Sequence, residues 1–486
     1  MSADANPAST PPSADDAPRV TPPVRPRRRW RRAVVFGAVG LGLLAVLMVG
    51  YFVYQGHVAE QALKDAIAEA DRLDPGWRLE ELEARRVMLP AEKNAATYVN
   101  KAGRAAFTTL NLGTNRADLT AIQEQLEKLP PHVRMTGDQA AALRAALKPL
   151  AGNLADARIV GDLPEGRYPV DWPKSIVMAI PHVDRANVVT RILSNEGRLH
   201  MYMGDTDKAW VCCRASFNVA RSLGDEPITL SQLVRARIAM DAIRQFERTL
   251  AQGQVGDSNL ADMQKLLLDE IQQPAVLITV RGERAFLDSI FSKVATGESS
   301  ATELTYVARG NWGAPPGLRD EVSGYLSRHE FKPAHAWLLR YTTAAVEIIK
   351  KHGHDSEGPL KELEATLADA PTLARQLAPK FGRLASVKKS RALCACAYAA
   401  MAAERYRLQH KRWPALLAEL AAARLLDELP TDPYDGKPLR LRGTQDGIVV
   451  YSVGTSGAYD GTALDAKVYR GDDERFEFRL WHAERR

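Results

Sequence analysis

Only four cysteines occur in 486 residues, and none falls in a C-x-x-C pair, so neither a zinc motif nor a dithiol redox motif is present. Cys212 and Cys213 are adjacent, while Cys394 and Cys396 stand two apart on what reads as a helix, where their side chains diverge by about 200°. In an oxidising compartment one member of each pair could bridge to the other pair; the plainer reading is four small apolar helix residues. There is no G-x-S-x-G elbow, phosphate loop or dinucleotide fingerprint, which removes the commonest hydrolase, nucleotide and NAD readings. Strand-like alternation is scarce before residue 436, which argues against a β-rich body.

An excess of basic charge is also missing once the first 32 residues are set aside. The chain carries +6, but residues 1–32 hold seven arginines against Asp4, Asp15 and Asp16, a net +4, which leaves +2 for the remaining 454. Nucleic acid is therefore not expected as a partner. The basic excess belongs to a short arm that can touch anionic lipid headgroups.

Three near-motifs fail on spacing. His329-Glu330 begins a zinc-protease pattern, but the next histidine is His335, two residues out of place, and Pro333 is expected to break the helix. His352-Gly353-His354-Asp355 has metal-binding composition but lies at a glycine-marked helix end and reads as a solvated turn. Ser386 and Lys389 match S-x-x-K without the S-D-N and K-T-G partners that give it meaning. No residue is assigned a catalytic, cofactor-binding or metal-binding role.

What is present begins with Ala33–Tyr54, twenty-two residues with no charge and no proline. As a helix it reaches roughly 33 Å, enough for a hydrocarbon core of about 30 Å. Arg25, Arg27, Arg28, Arg29, Arg31 and Arg32 precede it, and the next cation is Lys64. The positive-inside bias then places the arm in the cytoplasm and everything after Tyr54 outside it. The run is longer than a cleaved signal core and ends in aromatics, so an uncleaved single-pass anchor is expected, with the bilayer as its partner.

Residues 1–32 are expected to be a disordered cytoplasmic tail, rich in Pro, Ala, Ser and Asp up to residue 24. Residues 55–379 should form a helical extracytoplasmic body. Leu63, Ile67, Ala70 and Leu73 make an apolar stripe that carries the first helix to a stop at Asp74-Pro75-Gly76. Thr136 with Gln139, and Thr229 with Gln232, have capping-box spacing; Gly253, Gly297 and Gly353 mark helix ends. The stretch 197–227 is similar to a tetratricopeptide hairpin, with a turn at Gly204-Asp205 and small residues that let two helices approach. No second copy follows at that period, so packed helical hairpins are expected in place of a regular solenoid.

Leu384, Val387, Arg391, Cys394, Tyr398, Met401, Arg405 and Leu408 step by three and four, the seam of a long helix, and Ala397, Ala400 and Ala403 keep another face thin, so it should be sandwiched. Beyond it, Leu439 and Leu441 alternate with Arg440 and Arg442, Asp446-Gly447 is expected to turn, and Ile448–Val453 and Phe476–Trp481 read as further strands of a small antiparallel sheet.

Tyr406, His410, Trp413-Pro414, Leu417 and Leu420, then Leu429-Pro430-Thr431-Asp432-Pro433-Tyr434-Asp435-Gly436-Lys437-Pro438, then Tyr451-Ser452-Val453-Gly454, stand in an order that resembles the C-terminal half of the major pseudopilins of type II secretion. The resemblance implies that residues 380–486 form a long helix carrying a three-stranded sheet. The chain departs from that family in lacking a prepilin-peptidase site and a Glu in its apolar run, so assembly into a filament is not implied. The family's calcium loop corresponds to residues 454–467, where Asp460 and Asp465 are the nearby carboxylates. Two are few for an ion that takes six to eight oxygens, and they are read as solvated loop residues. The expected function is a membrane-anchored interaction or scaffold module of the bacterial cell envelope with an envelope protein as partner. The alternatives are an envelope hydrolase with a site assembled from distant residues, or an accessory component of a type II secretion-like apparatus.

Overall fold

The computed structural model describes residues 27–112, 115–170, 180–308, 317–318, 320–321, 324, 327–462 and 475–485. By internal packing the chain divides into Met1–Val58 and Ala59–Arg486. Helix α1 runs unbroken from Arg27 to Leu73, so it starts inside the segment expected to be a tail and ends where the apolar stripe ends. Residues 1–26 of that expected tail lie outside the described residues. From Val34 to Tyr54 every side chain is exposed, Phe36, Leu41 and Leu44 among them, and among the described residues this is the one helix long and apolar enough to cross a membrane.

The body continues with α2 (Leu79–Arg85), α3 (Ala95–Leu112), α4 (Asn115–Glu127), α5 (Gly137–Leu147) and α6 (Ala151–Ile159). Next come α7 (Pro181–Tyr202), α8 (Thr206–Arg221), α9 (Thr229–Gln252), α10 (Asp257–Gln272), α11 (Ala275–Thr296) and α12 (Ala301–Ala308). The last helices are α13 (Phe331–His352), α14 (Glu357–Ala365), α15 (Thr372–Leu377), α16 (Ala385–His410) and α17 (Leu417–Ala422), followed by β1 (Arg440–Thr444), β2 (Gly447–Tyr451) and β3 (Glu477–Trp481). The protein is mostly helical with one small sheet, as its periodicity predicts.

One large apolar core joins α7, α8, α9, α10 and α16 to the sheet; a second joins α11, α13, α14 and α15. The thin faces do what small residues allow: a methyl group on Gly197 would meet Cys212 Cβ at 3.4 Å, so α7 and α8 pack closely. The second helix of this hairpin opens at Thr206, because Asp205 accepts a hydrogen bond from the Lys208 amide and caps it. Helix α16 is buried on all sides from Ala392 to Glu404, the sandwiched position its seam predicts.

The sheet is antiparallel in the order β1-β2-β3, with Ile448 opposite Leu480 and Val450 opposite Phe478; all four side chains belong to the large core. Thr444 pairs with Gly447, so Gln445-Asp446 occupy the turn in place of Asp446-Gly447. Gly447 lies against β3, where a Cβ would sit 1.8 Å from the Leu480 carbonyl oxygen. Asp432 explains why the Asp-Pro loop and the Tyr-Ser strand occur together. Fully buried, it accepts hydrogen bonds from the Ser452 hydroxyl (2.8 Å), the Val453 and Tyr434 amides, and Arg440 (2.9 Å).

Other expectations need correction. Thr136 and Gln139 form the reciprocal capping box of α5, but Thr229 caps nothing: α9 begins on it, and Gln232 turns back to donate to the carbonyls of Gly224 and Glu226. A loop rich in buried carbonyls recruits the amide that the helix start does not hold. Pro333 does not break α13, because it lies in the first turn, where the amide it lacks has no partner to lose.

At the end of α1, Asp74 ties three elements together. It receives Arg281 and Arg284 from α11 and Lys350 from α13, the last at 2.8 Å. Burial would raise its pKa, but these hydrogen bonds outweigh burial and hold the carboxyl well below the usual range. Trp77, also buried, stacks under the Arg284 guanidinium at 5.1 Å.

Candidate functional site

The residues singled out by motif are dispersed. His335 Nε2 lies 2.8 Å from Asp288 Oδ1, and its ring stacks on Phe291, away from any second histidine ligand. His329 and Glu330 belong to the 3-10 turn before α13, and His352–Asp355 mark the end of α13 and the turn beyond it. Ser386 is exposed in the first turn of α16, and Lys389 reaches over the Phe476 ring at 4.9 Å. All four cysteines are buried free thiols. Asp460 accepts the Thr462 hydroxyl at 2.6 Å, and Asp465 lies outside the described residues.

Clusters that no motif announces appear instead. Ser231, His182 and Glu226 are buried together: His182 Nε2 lies 3.0 Å from Glu226 Oε1, and the Ser231 hydroxyl donates to that same oxygen at 2.6 Å. In a hydrolytic triad the imidazole stands between serine and acid. Here both lean on the carboxylate, which makes a structural knot with no activated nucleophile. Glu196, His200 and Cys212 place one ligand atom each within 4.8 Å of one another. Arg158 already pairs with Glu196, and the Cys212 thiol bonds to that carboxylate at 3.4 Å. Burial and Glu196 push the thiol well above its ordinary pKa, which opposes the thiolate a metal needs.

Among the described residues, two sizeable cavities have opposite character. The first, about 930 Å³, is a polar cleft between α4, α7 and α9, closed at one end by Arg475 just before β3. On α7, Asn187, Arg191, Asn195 and Arg198 step by three and four; Arg237, Asp241, Arg244 and Arg248 do the same on α9. Asp241 takes both Arg237 (2.8 Å) and Arg244 (3.1 Å), and Arg248 donates to the Leu129 carbonyl at 2.6 Å. Glu247 closes the floor, accepting Arg475 on both oxygens (2.6 and 2.7 Å) and the Arg479 amide at 2.8 Å. Burial raises its pKa against the pull of Arg475. With six arginines and five carboxylates the lining is close to neutral, so its distinguishing property is density of hydrogen-bonding groups. Among the described residues, neither amide atom of the fully buried Asn195, nor either of Gln245, has a hydrogen-bond partner.

The second cavity, about 690 Å³, lies where the two apolar cores meet, among α9, α11, α13, α14 and α16, and is lined mainly by carbon. Sequence reading misses both cavities because their walls come from segments more than a hundred residues apart; the one legible trace was a charged Arg391 within the apolar seam of α16.

No family model, no curated protein and no solved structure matches the chain.

Proposed function

We propose that the protein is a single-pass membrane-anchored binding module whose polar cleft receives an extended segment of a partner protein, with no chemistry performed on it. The observation that carries this reading is the pair of facing stripes on α7 and α9, where arginine guanidinia and the unengaged amides of Asn195 and Gln245 share one cleft. Such groups match a peptide's carbonyls, amides and acidic side chains. An Arg-rich arm before an exposed apolar helix supports an orientation with the N-terminus in the cytoplasm and the body outside it. The partner class is a protein of the envelope. The pseudopilin-like order in residues 380–486 keeps components of a secretion apparatus among the candidates.

A hydrolase reading rests on Glu247, whose raised pKa suits a general acid. Both of its oxygens are committed to Arg475 and the Arg479 amide, which favours a structural tie.

Full-length protein carrying a photo-crosslinking residue at Thr120 or Gln123, in intact cells, should yield a discrete crosslinked protein that Arg244→Glu abolishes. The same products from Met203, exposed and outside the cleft, or indifference to the charge reversal, would remove the cleft from the mechanism. Protease added to intact cells should shave the body; its survival reverses the orientation.

A further inference from the structure

The apolar cavity has a feature that a mere packing defect lacks. Among the charged groups on its rim, Glu270 is held by Arg235 at 2.7 Å, Glu357 by Lys388 at 2.9 Å, and Lys350 by Asp74 at 2.8 Å. Glu364 accepts the Phe381 amide. Arg391 and Lys361 are different: both line the cavity, both are exposed, and neither makes a hydrogen bond or ion pair among the described residues; of the two, Arg391 stands within the apolar seam of α16. Burial alone acts on its pKa, pushing it down, because no carboxylate stands close enough to oppose the effect.

Around this guanidinium the walls are aliphatic and aromatic: Val276 and Leu277 from α11, Leu360 from α14, Phe381 and Leu384 before α16, and Val387 within it. The first turn of α11 forms part of the same wall, and it has neither a side-chain cap nor an acidic residue, so its amide dipoles add to the positive end. A mostly apolar cavity of several hundred cubic ångströms with a few polar groups at its rim, here the cations Arg391 and Lys361 without carboxylate partners among the described residues, is the pattern of a small-molecule site.

Size and charge narrow the occupant. A methylene fills the ~30 Å³ that a water molecule takes in the liquid, so a sixteen-carbon chain needs roughly 480 Å³. One such chain fits within 690 Å³. A cationic or zwitterionic head would leave Arg391 without a counter-ion, whereas a carboxylate offers two acceptors to a fork of donors.

We propose that this cavity binds a single long-chain carboxylate, its aliphatic chain between α11, α14 and α16 and its head on Arg391. The site is separate from the polar cleft and stands whether or not a protein binds there. No covalent step is involved.

The test uses full-length protein in nanodiscs, with protein-free nanodiscs as the baseline, and dansyl-undecanoic acid as the fluorescent probe. Wild type should show saturable emission that palmitate displaces one for one. Arg391→Gln should weaken the affinity at least about tenfold, the usual cost of a lost charge-assisted hydrogen bond, with an unchanged melting temperature. Ala236→Phe, which narrows the cavity without touching the charge, should lower the number of sites. The proposal is overturned if binding does not exceed the protein-free baseline, if Arg391→Gln binds as wild type does, or if methyl palmitate displaces the probe as well as the free acid.

Discussion

The two cavities are bordered by buried carboxylates whose pKa values end on opposite sides of the ordinary carboxyl value. Asp74, whose partner Lys350 stands on the rim of the apolar cavity, meets three cations, and its pKa falls. Glu247, on the floor of the polar cleft, meets one arginine and one backbone amide, and its pKa rises. Burial raises both, more heavily for Glu247, which Glu477 also repels; against this Asp74 has three cations and Glu247 one, and the balance tips accordingly.

Removing the better-compensated acid should cost most. Asp74→Ala strands Arg281, Arg284 and Lys350 and should lower unfolding stability by about 3–5 kcal/mol in urea titration; a loss under 1 kcal/mol would show that the three cations relax into solvent and that the contrast is false. Glu247→Gln keeps its volume and some of its acceptors, and should cost about 1–3 kcal/mol.

The pH dependence sharpens the same contrast. Asp74 has a depressed folded pKa, so its contribution is fully present above the ordinary carboxyl range and is lost as pH falls through the folded value. Glu247 has a raised folded pKa, so the native state holds its proton more tightly than the unfolded chain, and its contribution declines as pH rises from 4.5 through the folded value. Melting curves across this range should show Asp74→Asn flattening the acid limb and Glu247→Gln flattening the limb above it; identical curves for the two variants would collapse the distinction. The smallest effect belongs to Arg391→Gln, whose stability should stay within about 0.5 kcal/mol of wild type, because it touches neither acid.

Much of the fold was legible along the chain. The long apolar helix, the capping box at Thr136, the sandwiched seam of α16 and the three strands are all set by neighbours a few residues away. The misreadings arose where a distant partner outbid a local one: Gln232 left the helix start to serve the carbonyls of a loop, and Pro333 was absorbed in a first turn whose position depends on where the preceding segment docks. Of the two cavities, only Arg391 left a trace in the periodicity. Asn195 and Gln245 gave none, since an amide on a helix reads as ordinary surface until its neighbours bury it.

By itself the sequence determined a long apolar helix behind a basic arm, a helical body and a small terminal sheet, because those follow from periodicity, charge and turn chemistry within a few residues. Only the tertiary structure decided which acids lie among three cations and which among one, and where, among the described residues, apolar walls border a guanidinium with no ion pair. Burial and Coulomb interactions depend on distance in space, and residues 74, 281, 284 and 350 come within reach of one another only when the chain has folded.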